Sequence, residues 1–245
     1  MRLSSVVARV LAASVSLFAA SPAIAQANNP TGTWEIAVGG RFEGEKISGI
    51  AYIEFLEDGS VEGYYLSRQS SDVYEVDGSW SQDGKKFTGD IDVFIGSGES
   101  IGSFVMAGSA RAGKSMSARL TDDFGSKISL AGKPFAGLTD LGGGYSGTVR
   151  QYGQAGELSV LLTRLSTNGA YDITGSLDIG GDFNSISGYA LANRKGEFVA
   201  YIYNETEGVY SSIWGKIRAG TSIKASGVSL EDGSKIQVSL TSSGD

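Results

Sequence analysis

Residues 111–121 read RAGKSMSARLT, and this stretch decides the fold class. Within it the apolar Met116, Ala118 and Leu120 alternate with polar side chains. Such alternation is typical of a β-strand with one buried face and one wet face. The beginning of the stretch recurs as RAGTSI at residues 218–223, at an offset of 107 (218 minus 111). The stretch therefore predicts a strand in a unit that the chain uses twice.

Three further matches extend the repeat along the chain. They are Gly125–Ile128 with Gly233–Ile236 (offset 108, 233 minus 125), Asp58-Gly59 with Asn168-Gly169 (offset 110, 168 minus 58), and Gly32–Trp34 with Gly143–Tyr145 (offset 111, 143 minus 32). The offsets drift slowly and in order, which indicates an old duplication with small changes in loop length. The stretch around Pro134 is glycine-rich and lacks a period of two, so it reads as a connection between the copies. We therefore predict a first repeat at 26–133, a connection at 134–143 and a second repeat at 144–245.

Turn signals divide each copy into short strands. Asp-Gly pairs at 58–59, 83–84 and 232–233 supply the positive φ angles that tight hairpins need. Alternating runs between such turns predict about eight strands per copy. A change of phase near Ser226 and Gly227 also predicts a β-bulge. The predicted strands begin near Thr31, Lys46, Ser60, Asp72, Lys85, Ile101, Lys114 and Ser126 in the first copy, and near Gly144, Gly156, Ala170, Phe183, Gly196, Val209, Gly220 and Ser234 in the second.

Eight sequential antiparallel strands favour an up-and-down barrel, because closing the sheet removes its exposed edges. The sequence therefore predicts an all-β protein made of two tandem antiparallel up-and-down β-barrels. A barrel of this size can be filled by side chains, or it can hold one small ligand. One continuous sheet, or a single larger barrel built from both copies, is the alternative architecture.

The first 25 residues have the three parts of a secretory signal peptide. Arg2 and Arg9 make the start positive, an apolar run of residues 10–20 follows, and the triplet Ala23-Ile24-Ala25 has small residues where signal peptidase requires them. We expect cleavage after Ala25 and export to the periplasm or the medium. No later segment is apolar for long enough to form a transmembrane helix.

The composition excludes several kinds of metal site, catalytic site and partner. The chain contains neither cysteine nor histidine, so the usual zinc, copper and haem ligands and the Ser-His-Asp and Cys-His nucleophile systems are absent. We expect no cofactor, no bound metal and no catalytic residues. The net charge of −7 becomes −9 without Arg2 and Arg9 (18 basic against 27 acidic residues), which argues against nucleic acid as a partner.

The first predicted strand carries a resemblance to a known group of barrels. Thr31-Gly32-Thr33-Trp34 resembles the first-strand signature of avidins, and Gly32-x-Trp34 is similar to that of lipocalins; both families belong to the calycin group. The resemblance implies an eight-stranded barrel in which Trp34 closes one end, with Lys127 as the expected basic partner. The second copy has Tyr145 at the position of the tryptophan. No ligand-binding residue of either family can be matched, so the resemblance concerns the fold.

Large aromatic side chains are the candidate ligand-binding residues. Rings with polar edges can stack on a sugar or a flat molecule, although barrel packing or cross-strand pairing also explains them. Arg150 lies in a predicted strand, where it could bind a ligand carboxylate. The aromatic candidates are Tyr65, Tyr74 and Trp80 in the first copy and Tyr201, Tyr203, Tyr210 and Trp214 in the second.

Pairs of carboxylates offer a second kind of site. Asp90 with Asp92, and Glu75 with Asp77, share strand faces at a spacing that a glycosidase could use, but the alternation places them on the wet face. We therefore predict an exported, non-catalytic β-barrel protein that binds a small molecule, a glycan or a protein. An integral outer-membrane barrel and an enzyme that uses carboxylates are the alternatives.

Overall fold

The computed structural model describes residues 29–243 apart from residues 71, 96–97, 112, 138–139 and 166–168, so the predicted signal peptide lies outside the described residues. The described part of the chain forms sixteen β-strands in two compact units, and each unit is a closed antiparallel barrel of eight sequential strands. The fold class predicted from the sequence is confirmed. Within the described residues there is no helix long and apolar enough to cross a membrane.

The first unit is called barrel one, and its last strand, β8, pairs with its first, β1, to close it. Its strands are β1 (Gly32–Phe42), β2 (Glu45–Phe55), β3 (Ser60–Ser67), β4 (Val73–Asp83), β5 (Lys86–Ile95), β6 (Ser100–Arg111), β7 (Ser115–Thr121) and β8 (Lys127–Pro134).

The second unit is called barrel two, and it closes through pairing of β16 with β9. Its strands are β9 (Gly143–Gln151), β10 (Gln154–Arg164), β11 (Ala170–Ile179), β12 (Asp182–Ala192), β13 (Glu197–Asn204), β14 (Val209–Arg218), β15 (Ser222–Ser229) and β16 (Lys235–Ser242). No strand in either barrel begins more than two residues from its predicted start.

The alternation of side chains decides which face of each strand lies inside. In β7, Met116, Ala118 and Leu120 are buried in the interior of barrel one, while Ser117 and Arg119 are exposed. Because every strand of a barrel presents one face inward, these inward rows together make one apolar core per barrel. The core of barrel one includes Trp34, Phe55, Phe87 and Phe104, and that of barrel two includes Tyr145, Tyr171, Phe198 and Ile213.

The interior of barrel two leaves no room for a ligand. Its core encloses an apolar cavity of about 30 Å³, lined by residues that include Leu158, Phe198 and Ile213. This is the volume of about one water molecule, whereas small-molecule sites occupy about 300–1,000 Å³. Among the described residues, side chains therefore fill barrel two and leave no space of small-molecule size.

Inward-facing glycines let neighbouring strands approach closely. A Cβ on Gly175 of β11 would lie 2.1 Å from the carbonyl oxygen of Ser159 on β10, and a Cβ on Gly188 of β12 would lie 2.0 Å from that of Tyr201 on β13. Only glycine, which has no side chain, fits such positions. They occur where a sheet curves sharply into a barrel. The strong curvature thus accounts for part of the high glycine content.

The predicted bulge near Ser226 is wrong. The pairing of β15 with β14 and with β16 continues through Gly227 without a shift of register. Gly227 faces the interior, and the side chain of Ile213 occupies the space beside it. A Cβ added to Gly227 would lie 2.4 Å from Cδ1 of Ile213. The inward face therefore reads Ile223, Ala225, Gly227 and Ser229, and Val228 points outward. The register shift that the structure does contain lies in β5, between Val93 and Phe94.

The two barrels share closing contacts at equivalent positions. The indole nitrogen of Trp34 donates to the carbonyl oxygen of Pro30, four residues earlier, and the hydroxyl of Tyr145 donates to that of Leu141, also four residues earlier. Both rings are almost fully buried, at 2 % and 1 % exposure. The tyrosine therefore replaces the tryptophan in position and in hydrogen bonding, which supports the duplication.

Lys127 is not the partner of Trp34. Trp34 pairs with Pro134 at the end of β8, whereas Lys127, at its beginning, pairs with Arg41. Trp34 and Arg41 are seven residues apart on β1, or about 23 Å along the strand. Lys127 is exposed at the opposite end of the barrel, because the first residue of an antiparallel neighbour lies beside the end of β1 and not beside its start.

Candidate functional site

A single row of outward side chains crosses four neighbouring strands of barrel two. Trp214 on β14 pairs with Ser226 on β15, which pairs with Gln237 on β16, which pairs with Arg150 on β9. Directly paired residues point to the same face of a sheet, and adjacent strands are about 4.8 Å apart, so the backbone of this row spans about 14 Å. Two of the predicted ligand-binding residues, Trp214 and Arg150, thus lie at the two ends of one row.

A second row lies beside the first on the same face. Lys224 on β15 pairs with Ser239 on β16, which pairs with Thr148 on β9. The side chains of the two rows line an open pocket of about 570 Å³ on the outer surface of barrel two, here called the Trp214 pocket. Its lining comprises Thr148, Arg150, Trp214, Gly215, Lys224, Ala225, Ser226, Gln237, Val238 and Ser239.

The floor of the Trp214 pocket depends on Gly215. A Cβ at this position would lie 2.2 Å from the carbonyl oxygen of Lys224 and 2.6 Å from Cα of Ala225. Glycine therefore brings β14 and β15 closer together than any other residue would allow. The close approach sets how far Trp214 stands from Lys224 across the two strands.

The side chains of the pocket are chemically mixed. Trp214 is half-buried, while Arg150, Lys224 and Gln237 are exposed. Neither Arg150 nor Lys224 has an ion pair or a hydrogen-bonding side chain among the residues described in the structure. An aromatic face, two available cations, an amide and several hydroxyls therefore line one concave surface. This combination can stack a ring and hydrogen-bond its polar substituents.

Barrel one lacks this surface at the equivalent positions. Its matching row runs from Ala107 on β6 through Arg119 and Ser129 to Gly39 on β1. The tryptophan is thus replaced by alanine and the arginine by glycine, and Ser117 stands at the position of Lys224. Because the pairing pattern is the same in both barrels, the difference lies in the side chains alone. The pocket residues changed after the duplication, or were lost from one copy.

The tyrosines predicted in the second copy form a separate cluster. Tyr210 stacks on Tyr203 with ring centroids 4.5 Å apart, and on Tyr201 with centroids 5.2 Å apart. Tyr210 and Trp214 share the outward face of β14, but they are four residues apart, or about 13 Å. These rings are packed on one another, so the cross-strand pairing considered in the sequence analysis describes their arrangement, and they do not line the Trp214 pocket.

The aromatic candidates of the first copy lie on the inward face of barrel one. Tyr65 stacks on Tyr74 with centroids 5.6 Å apart, and Tyr65 packs against the core. Trp80 packs edge-on against Phe55, and its indole nitrogen donates to the carbonyl oxygen of Leu56 at 2.9 Å. Tyr74 and Trp80 are about 20 Å apart along β4. The structure therefore brings Tyr65 and Tyr74 together, and it places Trp80 apart from them.

The outer face of barrel one carries a row of carboxylates. Glu54 on β2 pairs with Glu62 on β3, which pairs with Asp77 on β4, which pairs with Asp92 on β5. Burial raises the pKa of Glu54, and the charge of Glu62 raises it further. The hydroxyl of Ser103 donates to Asp92 at the end of the row. Within the described residues, no group of three or more acidic side chains could hold a metal ion.

Sequence reasoning missed Lys224, Ser226, Gln237, Ser239 and Thr148. Each occupies an outward position of a correctly predicted strand, so the alternation alone could have placed it on the wet face. The alternation does not predict the register in which the four strands pair, so it does not show which of these residues lie side by side. The pairing of the last strand with the first strand also follows only from barrel closure.

Comparisons with known proteins add no relative. No family model, no curated protein and no solved structure matches the chain.

Proposed function

We propose that this protein is an exported, non-catalytic binding protein that takes a small molecule or a glycan into the Trp214 pocket. The observation that carries the proposal is the row that places Trp214 and Arg150 at the two ends of one concave surface. The pocket, at about 570 Å³, lies within the range of small-molecule sites. Export is proposed from the leader pattern of residues 1–25.

Binding on the outer face follows from how the barrels are filled. The interior cavity of barrel two has about 30 Å³, so a ligand has to be recognised outside it. This departs from calycin barrels, which the first-strand motif resembles. We propose a calycin-like origin for the repeat, supported by the eight-stranded closure and by the shared roles of Trp34 and Tyr145.

The polarity of the two faces favours a barrel surrounded by water over the alternative of an outer-membrane barrel. A barrel in a membrane presents an apolar band outward and polar groups inward. Here the inward rows are apolar, and the outward rows include Glu54, Glu62, Asp77 and Asp92. Such a row would be costly against lipid.

The lining of the pocket favours binding over catalysis. Its ten residues include an indole, two cations, an amide and hydroxyls, and none of the ten is a carboxylate. Acid–base chemistry without histidine or cysteine would need carboxylates close to the bound ligand. The outward Glu157 of β10 pairs with Thr148 beside the pocket, but it is not one of the lining residues.

Tryptophan fluorescence tests the proposal. The mature protein is titrated with a panel of neutral and acidic oligosaccharides, and binding is read from the emission of Trp214. We expect at least one member to shift the emission saturably, and we expect Trp214→Ala to abolish both the shift and the binding seen by calorimetry.

Phe183→Ala is the matched control, because Phe183 is another outward aromatic residue of barrel two, 71 % exposed and outside the pocket. It should leave binding unchanged. Binding that survives in Trp214→Ala, or a panel with no response, would overturn the proposal.

A further inference from the structure

The strands that carry the Trp214 pocket are entirely free of acidic residues. β9, β14, β15 and β16 contain five basic residues and no aspartate or glutamate, in a chain with 27 acidic and 20 basic residues. The five basic residues are Arg150, Lys216, Arg218, Lys224 and Lys235. These four strands therefore carry a net positive charge on an acidic protein, and the nearest carboxylates come from the flanking strands, where Glu157 of β10 pairs with Thr148 and Glu197 of β13 pairs with Lys216.

The position of the cations relative to the ring defines what they can contact. Arg150 ends the row that begins at Trp214, and Lys224 lies on β15 two residues from Ser226, which is the direct neighbour of Trp214. A ligand that stacks on the indole has a cation close to the stacked ring and a second one about 14 Å along the sheet. A single small anion can reach one of these positions but not both. An extended ligand with repeated negative charges satisfies both.

The groups between the two cations are hydroxyls and an amide. Ser226 and Gln237 lie in the row itself, and Ser239 and Thr148 lie beside it. These groups donate and accept hydrogen bonds, as the hydroxyls of a sugar require. The indole offers an apolar face for the C–H side of a sugar ring.

We propose that the Trp214 pocket binds an acidic oligosaccharide, a chain of uronic acid sugars, with one ring on Trp214 and carboxylates on Lys224 and Arg150. This inference rests on the proposed function and names its ligand class. Nucleic acid offers the same charges and stackable rings. It is disfavoured because the mature chain, with 18 basic against 27 acidic residues, repels a long polyanion beyond the pocket. In addition, a single tryptophan provides one stacking surface, whereas proteins that bind single strands use several aromatic side chains.

Barrel one provides the internal comparison. Its equivalent strands also carry five basic residues, which are Arg41, Arg111, Arg119, Lys127 and Lys133, but Ala107 stands where Trp214 would be. Arg119 is the basic residue in the middle of its matching row. Barrel one therefore has positive charge without the ring platform, and it should not bind the oligosaccharide.

The test compares an acidic ligand with its uncharged methyl ester. Tetragalacturonate and its methyl ester are titrated into the full mature protein by calorimetry at low ionic strength, with tetramers of mannuronate and glucuronate and a single-stranded oligothymidylate as further probes. We expect at least one uronate tetramer to bind in a manner that depends on Trp214. For galacturonate, the methyl ester should bind at least about tenfold more weakly.

Substitutions assign the charges to residues. Arg150→Gln and Lys224→Ser should each weaken binding of the uronate tetramer about tenfold, because each removes a charge-assisted hydrogen bond. Arg150→Lys should recover part of the loss. Arg119→Gln removes one positive charge from the equivalent row of barrel one, and it should change binding less than about twofold. Because all three positions are exposed, the thermal midpoints of the four variants should stay close to the parent value.

The outcomes separate this inference from the proposed function. Equal, Trp214-dependent binding of the acid and its ester would retain the binding pocket and overturn the acidic ligand. Tighter binding of oligothymidylate than of every uronate, or uronate binding unaffected by Arg150→Gln and Lys224→Ser, would also overturn the inference. Absence of any Trp214-dependent binding across uronates and neutral sugars would overturn both.

Discussion

A tyrosine and an aspartate tie two hairpins together at one end of barrel two. The hydroxyl of Tyr152, in the β9–β10 turn, donates to Oδ2 of Asp232, in the β15–β16 loop, at 2.5 Å. This hydrogen bond is the main reason why the pKa of Asp232 falls to about 2, and the backbone N–H of Ser234 contributes as well. The backbone of Tyr152 has a positive φ of 53° in this turn.

Tyr152→Phe is expected to raise the pKa of Asp232 from about 2 towards its ordinary value of 3.8, because the charged carboxylate loses its strongest hydrogen bond. The contribution of this bond to stability exists above the ordinary pKa and disappears as the pH falls through about 2. The variant should therefore be less stable than the parent at pH 7 and equal to it below pH 2. NMR titration of the aspartate carboxyl carbons measures the shift.

Asp58 serves as a control within the same titration. Its pKa is lowered chiefly by the hydroxyl of Ser60, in barrel one, so it should not move in the variant. An unchanged Asp232 pKa would show that Tyr152 is not its principal donor.

At the scale of elements, cross-strand rows decide the electrostatics of both barrels. The carboxylate row of barrel one places like charges directly opposite each other, which destabilises a sheet. Burial is the larger cause of the raised pKa of Glu54, and Glu62 is the second. On barrel two, direct cross-strand pairing of outward residues aligns the residues of the Trp214 pocket.

Glu62→Gln is expected to lower the pKa of Glu54 only partway towards 4.5, because burial persists after the neighbouring charge is removed. For a carboxyl whose folded pKa is raised, the energetic penalty is absent at pH values below its ordinary pKa and develops as the pH rises through the folded value. The variant should therefore be more stable than the parent at pH 7 and similar to it at pH 3. Urea unfolding at both pH values measures this.

Glu231→Gln is a suitable control, because Glu231 is an exposed acid in the β15–β16 loop, away from the row. It should leave stability nearly unchanged at both pH values. A destabilised Glu62→Gln at pH 7 would contradict the repulsion.

Two glycines within β-strands should respond oppositely to an added methyl group. Gly215→Ala places a Cβ against the backbone of β15, so we expect a loss of about 1–3 kcal/mol in the free energy of unfolding and weaker ligand binding in the Trp214 pocket. Gly39 has nothing within 4 Å of an added Cβ and needs no positive φ. Gly39→Ala should be neutral or stabilising by up to about 1 kcal/mol.

Chemical denaturation of the two variants provides the comparison. Equal effects would show that the close approach of β14 and β15 does not constrain Gly215.

At the scale of the whole molecule, the proposed export defines the mature chain. Mass spectrometry of the exported protein should find Gln26 as its first residue, which leaves a formal net charge of −9 (18 basic against 27 acidic residues). Ala25→Leu should block processing, because signal peptidase requires a small residue there. Ile24→Leu, at the tolerant middle position, should be processed normally. A cell-associated chain that retains residues 1–25 would contradict the prediction.

Local sequence determined much of the architecture. Alternation and Asp-Gly turns fixed the number of strands and placed every strand start to within two residues, because both signals act between neighbours in the chain. The repeat predicted two equivalent units, and the matching bonds of Trp34 and Tyr145 follow from it. The bulge predicted from the phase change at Ser226 was wrong, because an inward glycine interrupts the apolar alternation in the sequence as a polar residue would.

Tertiary structure alone decided what the strands do together. Closure of each barrel joined β9 to β16, and the register of that contact aligned Arg150 with Gln237 and, through two further strands, with Trp214. In barrel one, the register of β8 on β1 placed Lys127 far from Trp34. Register depends on pairing between residues distant in sequence, and the volume inside a barrel depends on all eight strands at once, so no local pattern contains either quantity.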